Sequence, residues 1–298
     1  MIPILDRASI GRALTRAGVS LFPVYIRQIY EGVTVAGPGS LVVTELPNAQ
    51  VPTLSVTNPT NFPVLLPAGW IVEGGRQNRV VNVPVLVPGR ATLEIPVSCV
   101  ERGRWNGHGQ FGVGRTVAPR RIRRINEQTV RQNLEMNGFK NADQGLIWHT
   151  VGDHLNDLQV DDDAHNLLAA EGALAHDQDR YNAIREVIEL GPLPGQSGII
   201  VSHGSRVVGA DIFADESMLA SAWESLVNSY YWERIPNVGK PSATRALRFL
   251  NTFAGAEALE VPGTGVGTEF HVTHRKVSGQ ALTDNGALVY ASCFALAA

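Results

Sequence analysis

The chain has 298 residues, 44% apolar and 18% charged, a globular composition with apolar material for one large or two ordinary domains. With 25 basic against 28 acidic side chains the formal charge is −3, so the surface as a whole has no reason to seek nucleic acid or an anionic membrane. Cys99 and Cys293 are too few for a disulfide scaffold and too far apart for a zinc site, and there is no basic start before a long apolar run and no bilayer-length apolar stretch; a cytoplasmic protein without membrane association is expected.

Residues 1–20 read as an N-terminal segment. A β-rich region follows over 21–112, where short runs at 41–44, 54–57 and 92–97 are punctuated by Pro and Gly. This spacing predicts a Pro-rich β-sandwich or open barrel. Asn58-Pro59-Thr60-Asn61 and Pro67-Ala68-Gly69 are turns by their chemistry, since Pro fixes φ and Gly or Asn accepts positive φ.

Two polar clusters interrupt this region. Glu73-Gly74-Gly75-Arg76-Gln77-Asn78-Arg79 follows the strand-like Trp70-Ile71-Val72, and Cys99-Val100-Glu101-Arg102-Gly103-Arg104-Trp105 answers it beyond an apolar stretch at 83–89. Such groups at the ends of core strands suit a pocket for an anionic, nucleotide-like ligand, because Arg forks bind phosphate and carboxylate in a bidentate manner. The glycine pair would let backbone approach that ligand. Strand alternation would set Gln77 and Arg79 on one face and Arg76 and Asn78 on the other. The competing reading is a turn whose charges pair internally, with Trp105 covering the core edge and Arg104 laid across it. Cys99 reads as a small buried apolar residue rather than a nucleophile.

After Trp105 a Gly-rich loop at 106–114 leads into a region over 113–298 with helical periodicity, expected to pack with the first as one compact body. Ile122, Ile125 and Thr129 mark one helix. Leu167, Ala170, Leu174, Tyr181, Ile184 and Ile188 mark a second, with Asp177 interrupting the stripe and Gly191-Pro192 ending it. A hairpin is expected over 199–213, a helix carrying Leu219, Ala222, Leu226 and Tyr230, a shorter helix over 242–253, and a closing hairpin at Asn285-Gly286. The fold class is therefore α+β, with helices on a small antiparallel sheet.

Other groupings carry less. Arg115, Arg120, Arg121, Arg123, Arg124 and Arg131 make a local positive run without interleaved aromatics, which points away from nucleic acid and toward a solvated face or a contact between subunits of a homo-oligomer. His149, His154, His165 and His176, with Asp153, Asp157 and the run Asp161 to Asp163, lack metal-ligand spacing, and the run reads as a loop and helix N-cap. The glycine string at 263–267 lacks both a P-loop ending and a following helix, although Glu269, His271 and Arg275 could reach a shared cleft. Neither cofactor nor metal is assigned.

The two clusters also carry a resemblance. Arg76-Gln77-Asn78-Arg79-Val80-Val81-Asn82, Leu86-Val87-Pro88 and the segment from Ile95 to Trp105 resemble the ADP-ribosylglycohydrolase- and rhodanese-phosphatase-superfamily-associated protein domain family, and Gly209-Ala210-Asp211-Ile212-Phe213, Gly265-Val266-Gly267 and Val277-Ser278-Gly279 look like its C-terminal half. The resemblance implies ADP-ribose or a related phosphorylated nucleotide as ligand. On the matching positions, Gln77, Asn78, Arg79, Cys99, Glu101, Arg104 and Trp105 are the candidates to line a site. Arg79 and Arg104 would hold phosphates and Trp105 would stack, while Glu73 or Glu101 would serve as general base of a hydrolase. The alternative is a non-catalytic structural or protein-interaction module.

Overall fold

The computed structural model describes residues 2–296 apart from 3, 108, 109, 175, 176, 234 and 236–238, and leaves undescribed the side chains of 114, 115 and 174. His108, Gly109 and His176, and the Arg115 side chain, thus lie outside the described residues. The architecture is α+β.

Its N-terminal half holds a closed barrel. Strands Thr92–Cys99, Thr53–Thr57, Val42–Thr44, Phe111–Val117, Trp70–Gly74 and Arg79–Val81 are hydrogen-bonded in that order and return on themselves. The barrel is closed rather than open because Thr92–Cys99 is long enough to pair with Thr53–Thr57 at one end and Arg79–Val81 at the other. Two-residue periodicity sorts the side chains: Val72 and Val81 join Val43, Val56, Ile95 and Val97 in one core, whereas their neighbours Ile71 and Val80 pack outward on helical residues. Each fully buried Val or Ile contributes roughly 1.5–3 kcal/mol relative to exposure.

The antiparallel sheet is larger than expected. It has nine strands and recruits Ser9–Ile10, Leu14–Arg16 and Val19–Tyr25 from the first 25 residues, with Val19–Tyr25 beside Gly198–His203. Strand Phe111–Val117 runs across position 112. The hairpin Gly198–His203 and Arg206–Phe213 forms as expected, and so does the last one, where Asn285 (φ 49°) and Gly286 (φ 80°) supply the two left-handed positions that a tight hairpin turn requires.

Six α-helices are described: α1 (Arg120–Asn137), α2 (Gln144–Asp157), α3 (Glu171–Leu174), α4 (Gln178–Leu190), α5 (Glu216–Tyr231) and α6 (Ala243–Gly255). Helix α1 lies between the two sheets, with Ile122 against Ile71 and Val80 of the barrel and Arg123 fully buried on Asp211 of the large sheet. The single helix expected through 167–188 is broken instead: a 3-10 turn at Leu167–Ala170 passes into α3, and α4 starts anew where the Asp177 carboxylate accepts from the Arg180 amide. Asp177 is a cap there rather than an interruption of a stripe. Helix α2 escaped the periodicity reading, although Asp143 caps it and Ile147, Val151 and Leu155 bury one face. Among the described residues no helix is long and apolar enough to cross a membrane.

Candidate functional site

Strands Trp70–Gly74 and Arg79–Val81 pair as a hairpin, Val72 opposite Arg79, so residues 75–78 form its turn. Gly74 (φ 117°) and Gly75 (φ 49°) reverse the chain, and a Cβ on Gly75 would overlap the Phe111 ring. The glycine pair therefore admits Phe111 rather than a ligand. The turn also breaks the expected alternation. Gln77 reaches the Glu101 carbonyl at 2.9 Å and Arg79 enters the barrel end, while Arg76 and Arg79 come to share the Trp105 ring.

Glu101 and Arg104 meet each other. Arg104 Nε donates to Glu101 Oε1 at 2.9 Å and Nη2 to Oε2 at 2.7 Å, and the Asn78 amide adds a third bond to Oε2 at 3.0 Å. The remaining Arg104 nitrogen holds the carbonyls of Gly75 (2.8 Å) and Asn106 (3.0 Å). Asn78 completes the clamp by accepting from the Gly74 amide at 2.8 Å. Hydrogen bonding to Glu101 raises the Arg104 guanidinium above its ordinary value. Gln77, Asn78, Glu101 and Arg104 are thus brought together, as a brace that ties the turn to the loop. Arg104 does not lie on Trp105.

Arg79 is different. Its side chain is fully buried, Nε donates to the Val51 carbonyl at 3.1 Å, and both terminal nitrogens lack a hydrogen-bond partner. Burial lowers its proton affinity, an effect opposed by the nearby Cys99 and Glu45. The Trp105 ring, 45% exposed, has the Arg79 guanidinium 5.6 Å and that of Arg76 5.4 Å from its centroid. At this end of the barrel Thr44, Glu45, Gly75, Arg76 and Gly107 line a hollow of about 230 Å³. Glu45 has one oxygen on the Arg76 amide at 3.1 Å and the other buried without a partner. Sequence reasoning missed Glu45, which follows an ordinary strand and carries no local mark.

Glu73 does not join this group. Its carboxylate accepts from the Thr116 hydroxyl at 2.7 Å on the outside of the barrel, and Glu171 lies 3.4 Å from the same hydroxyl. Thr116 and Glu171 border a separate cleft of about 320 Å³ that also includes Tyr181, Arg185, Glu224 and Trp232. Burial, and then the charge of Glu73, raises the Glu171 carboxyl. The side-chain period of two turns Glu73 away from the barrel interior that its neighbour Val72 fills.

The remaining candidates are structural. Cys99 is buried and burial pushes its thiol up, away from nucleophilic use. The arginine run is mostly consumed within the chain: Arg120 pairs with Glu233, Arg121 with Asp157 and Arg123 with Asp211, while Arg131 donates to the His271 carbonyl and pairs with Glu135. His149 pairs with Asp153 at the surface, His154 is buried, and no group of three metal-ligating side chains is found among the described residues. The Asp162 carboxylate accepts from the Asn166 amide, making that acidic run a turn. Glu269 and His271 are both buried and bonded to each other at 3.1 Å, with Lys140 closing the cluster at 2.8 Å from Glu269. That contact occupies the place where an open cleft was expected.

No curated protein and no solved structure matches this chain. A family model does, over residues 7–294, nearly the whole length and including both polar clusters, the barrel and the large sheet. By that match the chain belongs to the ARG and Rhodanese-Phosphatase-superfamily-associated Protein domain family, ARPP-1.

Proposed function

We propose that this protein binds a phosphorylated, nucleotide-like ligand, of which ADP-ribose is the first to test, at the barrel end beneath Trp105. One observation carries the reading: Arg79 is a buried guanidinium whose two terminal nitrogens have no acceptor. A buried charge lacking its hydrogen bonds costs several kcal/mol, and an anionic ligand would remove that cost. Trp105 would move off Arg79 and stack on the base or sugar. The family name, which couples the domain to ARG and rhodanese-phosphatase superfamilies, supports such a ligand. The two buried cysteines without a disulfide fit the reducing cytoplasm.

Binding is favoured over hydrolysis at this end, because Glu101 already accepts three hydrogen bonds. Titration calorimetry with ADP-ribose tests the reading. Binding by the wild type that Arg79→Met abolishes, at unchanged or raised melting temperature, is the expected result; equal binding by the variant overturns it. The second reading, a non-catalytic structural or protein-interaction module, is favoured by the same closed Glu101 and Arg104 pair, and absence of any binding leaves that role standing.

A further inference from the structure

The barrel end holds a second unsatisfied group of opposite sense. Glu45 Oε2 is buried without a partner, and a carboxylate oxygen only accepts; Arg79 Nη1 and Nη2 are buried without partners, and a guanidinium only donates. Such groups ordinarily join. Here no hydrogen bond joins them: Arg79 is held by the Val51 carbonyl and Glu45 by the amide of Arg76, whose guanidinium shares the Trp105 ring with that of Arg79. A ligand that relieves both must carry an anionic acceptor and a donor. Inorganic phosphate at neutral pH carries P–O–H donors, but on so small an anion that donating to Glu45 brings its charged oxygens against the carboxylate, whereas neutral hydroxyls set apart from a phosphate donate without that repulsion. The hollow that Glu45 and Arg76 line, about 230 Å³, is smaller than the roughly 300–1,000 Å³ pockets that take drug-sized ligands.

Resting on the reading above, we propose that Glu45 is the second anchor of this site: it accepts hydrogen bonds from the hydroxyls of a ribose whose phosphate is received by Arg79, so that the ligand class is a pentose phosphate, free or as the end of a nucleotide. Glu45 thereby selects sugar phosphates over bare phosphate, and Trp105 covers the sugar.

Calorimetric titration of the wild-type protein and Glu45→Gln with ribose 5-phosphate, ADP-ribose and inorganic phosphate tests this. The wild type is expected to bind at least one of the two sugar phosphates about tenfold more tightly than inorganic phosphate, and Glu45→Gln to narrow that ratio to about twofold. Tight ribose 5-phosphate binding identifies a free pentose phosphate, and binding of ADP-ribose alone identifies the nucleotide end. If inorganic phosphate binds the wild type as tightly as both sugar phosphates, the Glu45 anchor is wrong while Arg79 remains an anion site. If nothing binds, both readings fall. The wild-type comparison decides the matter even where the variant does not fold.

Discussion

Arg104 grips both carboxylate oxygens of Glu101 with one edge of its guanidinium and the Gly75 and Asn106 carbonyls with another nitrogen. Glu101 is almost fully buried, so removing its partner strands a charge. Arg104→Ala is therefore expected to destabilise the fold by about 3 kcal/mol. Urea unfolding measures it, and a loss below about 0.5 kcal/mol would mean that the pair is not a brace.

Replacing Arg79 has the opposite expectation. Arg79→Met keeps the length and removes an uncompensated buried charge, so stability should hold or rise by about 1 kcal/mol. The same urea experiment reads this out. Destabilisation comparable to that of Arg104→Ala would show that Arg79 is structural and would weaken the anion-site reading with it.

Gly75 sits at φ 49° with the Phe111 ring where a side chain would go. Gly75→Ala should cost about 2 kcal/mol or more through strain and overpacking together. Adding Phe111→Leu should recover part of that loss, and thermal melts of the single and double variants would show whether the two positions are coupled.

His154 and His203 are buried, and burial lowers both from the ordinary imidazole value to about 4. Between pH 6.5 and 4 the unfolded chain binds protons that the folded chain refuses, so the stability associated with these neutral rings is full at pH 7 and is lost as the pH falls. The loss is about 2 kcal/mol per ring by pH 5. Thermal melts across this range should show the decline, and a double His154→Gln, His203→Gln variant should flatten it; an unchanged slope would place the acid sensitivity elsewhere.

Glu127 is buried against Ser292, and desolvation raises its carboxyl well above the ordinary range. Its Oε2 and Gln280 Oε1 are both buried oxygens without partners. A proton on Glu127 would remove a buried charge and give this orphaned carboxyl a donor. Glu127→Gln, which always carries donors, is thus expected to be neutral or stabilising at pH 7, whereas Glu127→Ala should cost about 2 kcal/mol; the chemical-denaturation midpoints of the two variants at pH 7 would separate these cases.

By itself the sequence determined the local elements whose cause is local. The Asn285-Gly286 hairpin, the α5 stripe of Leu219, Ala222 and Leu226, the shorter helix α6 and the Pro-punctuated strands that become the barrel all follow from turn chemistry and periodicity. The crowding of polar groups at the ends of core strands was legible too, because charge placed there is costly wherever it lies. Only the tertiary structure decided what each charged group does there. Barrel closure brings Glu45 onto the Arg76 amide, the hairpin turn adds the Asn78 amide and the Gly75 carbonyl to the Glu101 and Arg104 pair, and strand alternation turns Glu73 outward to the Thr116 hydroxyl that Glu171 also approaches. Partner choice among long polar side chains depends on contacts between residues far apart in the chain. Spacing along the sequence leaves those contacts undetermined.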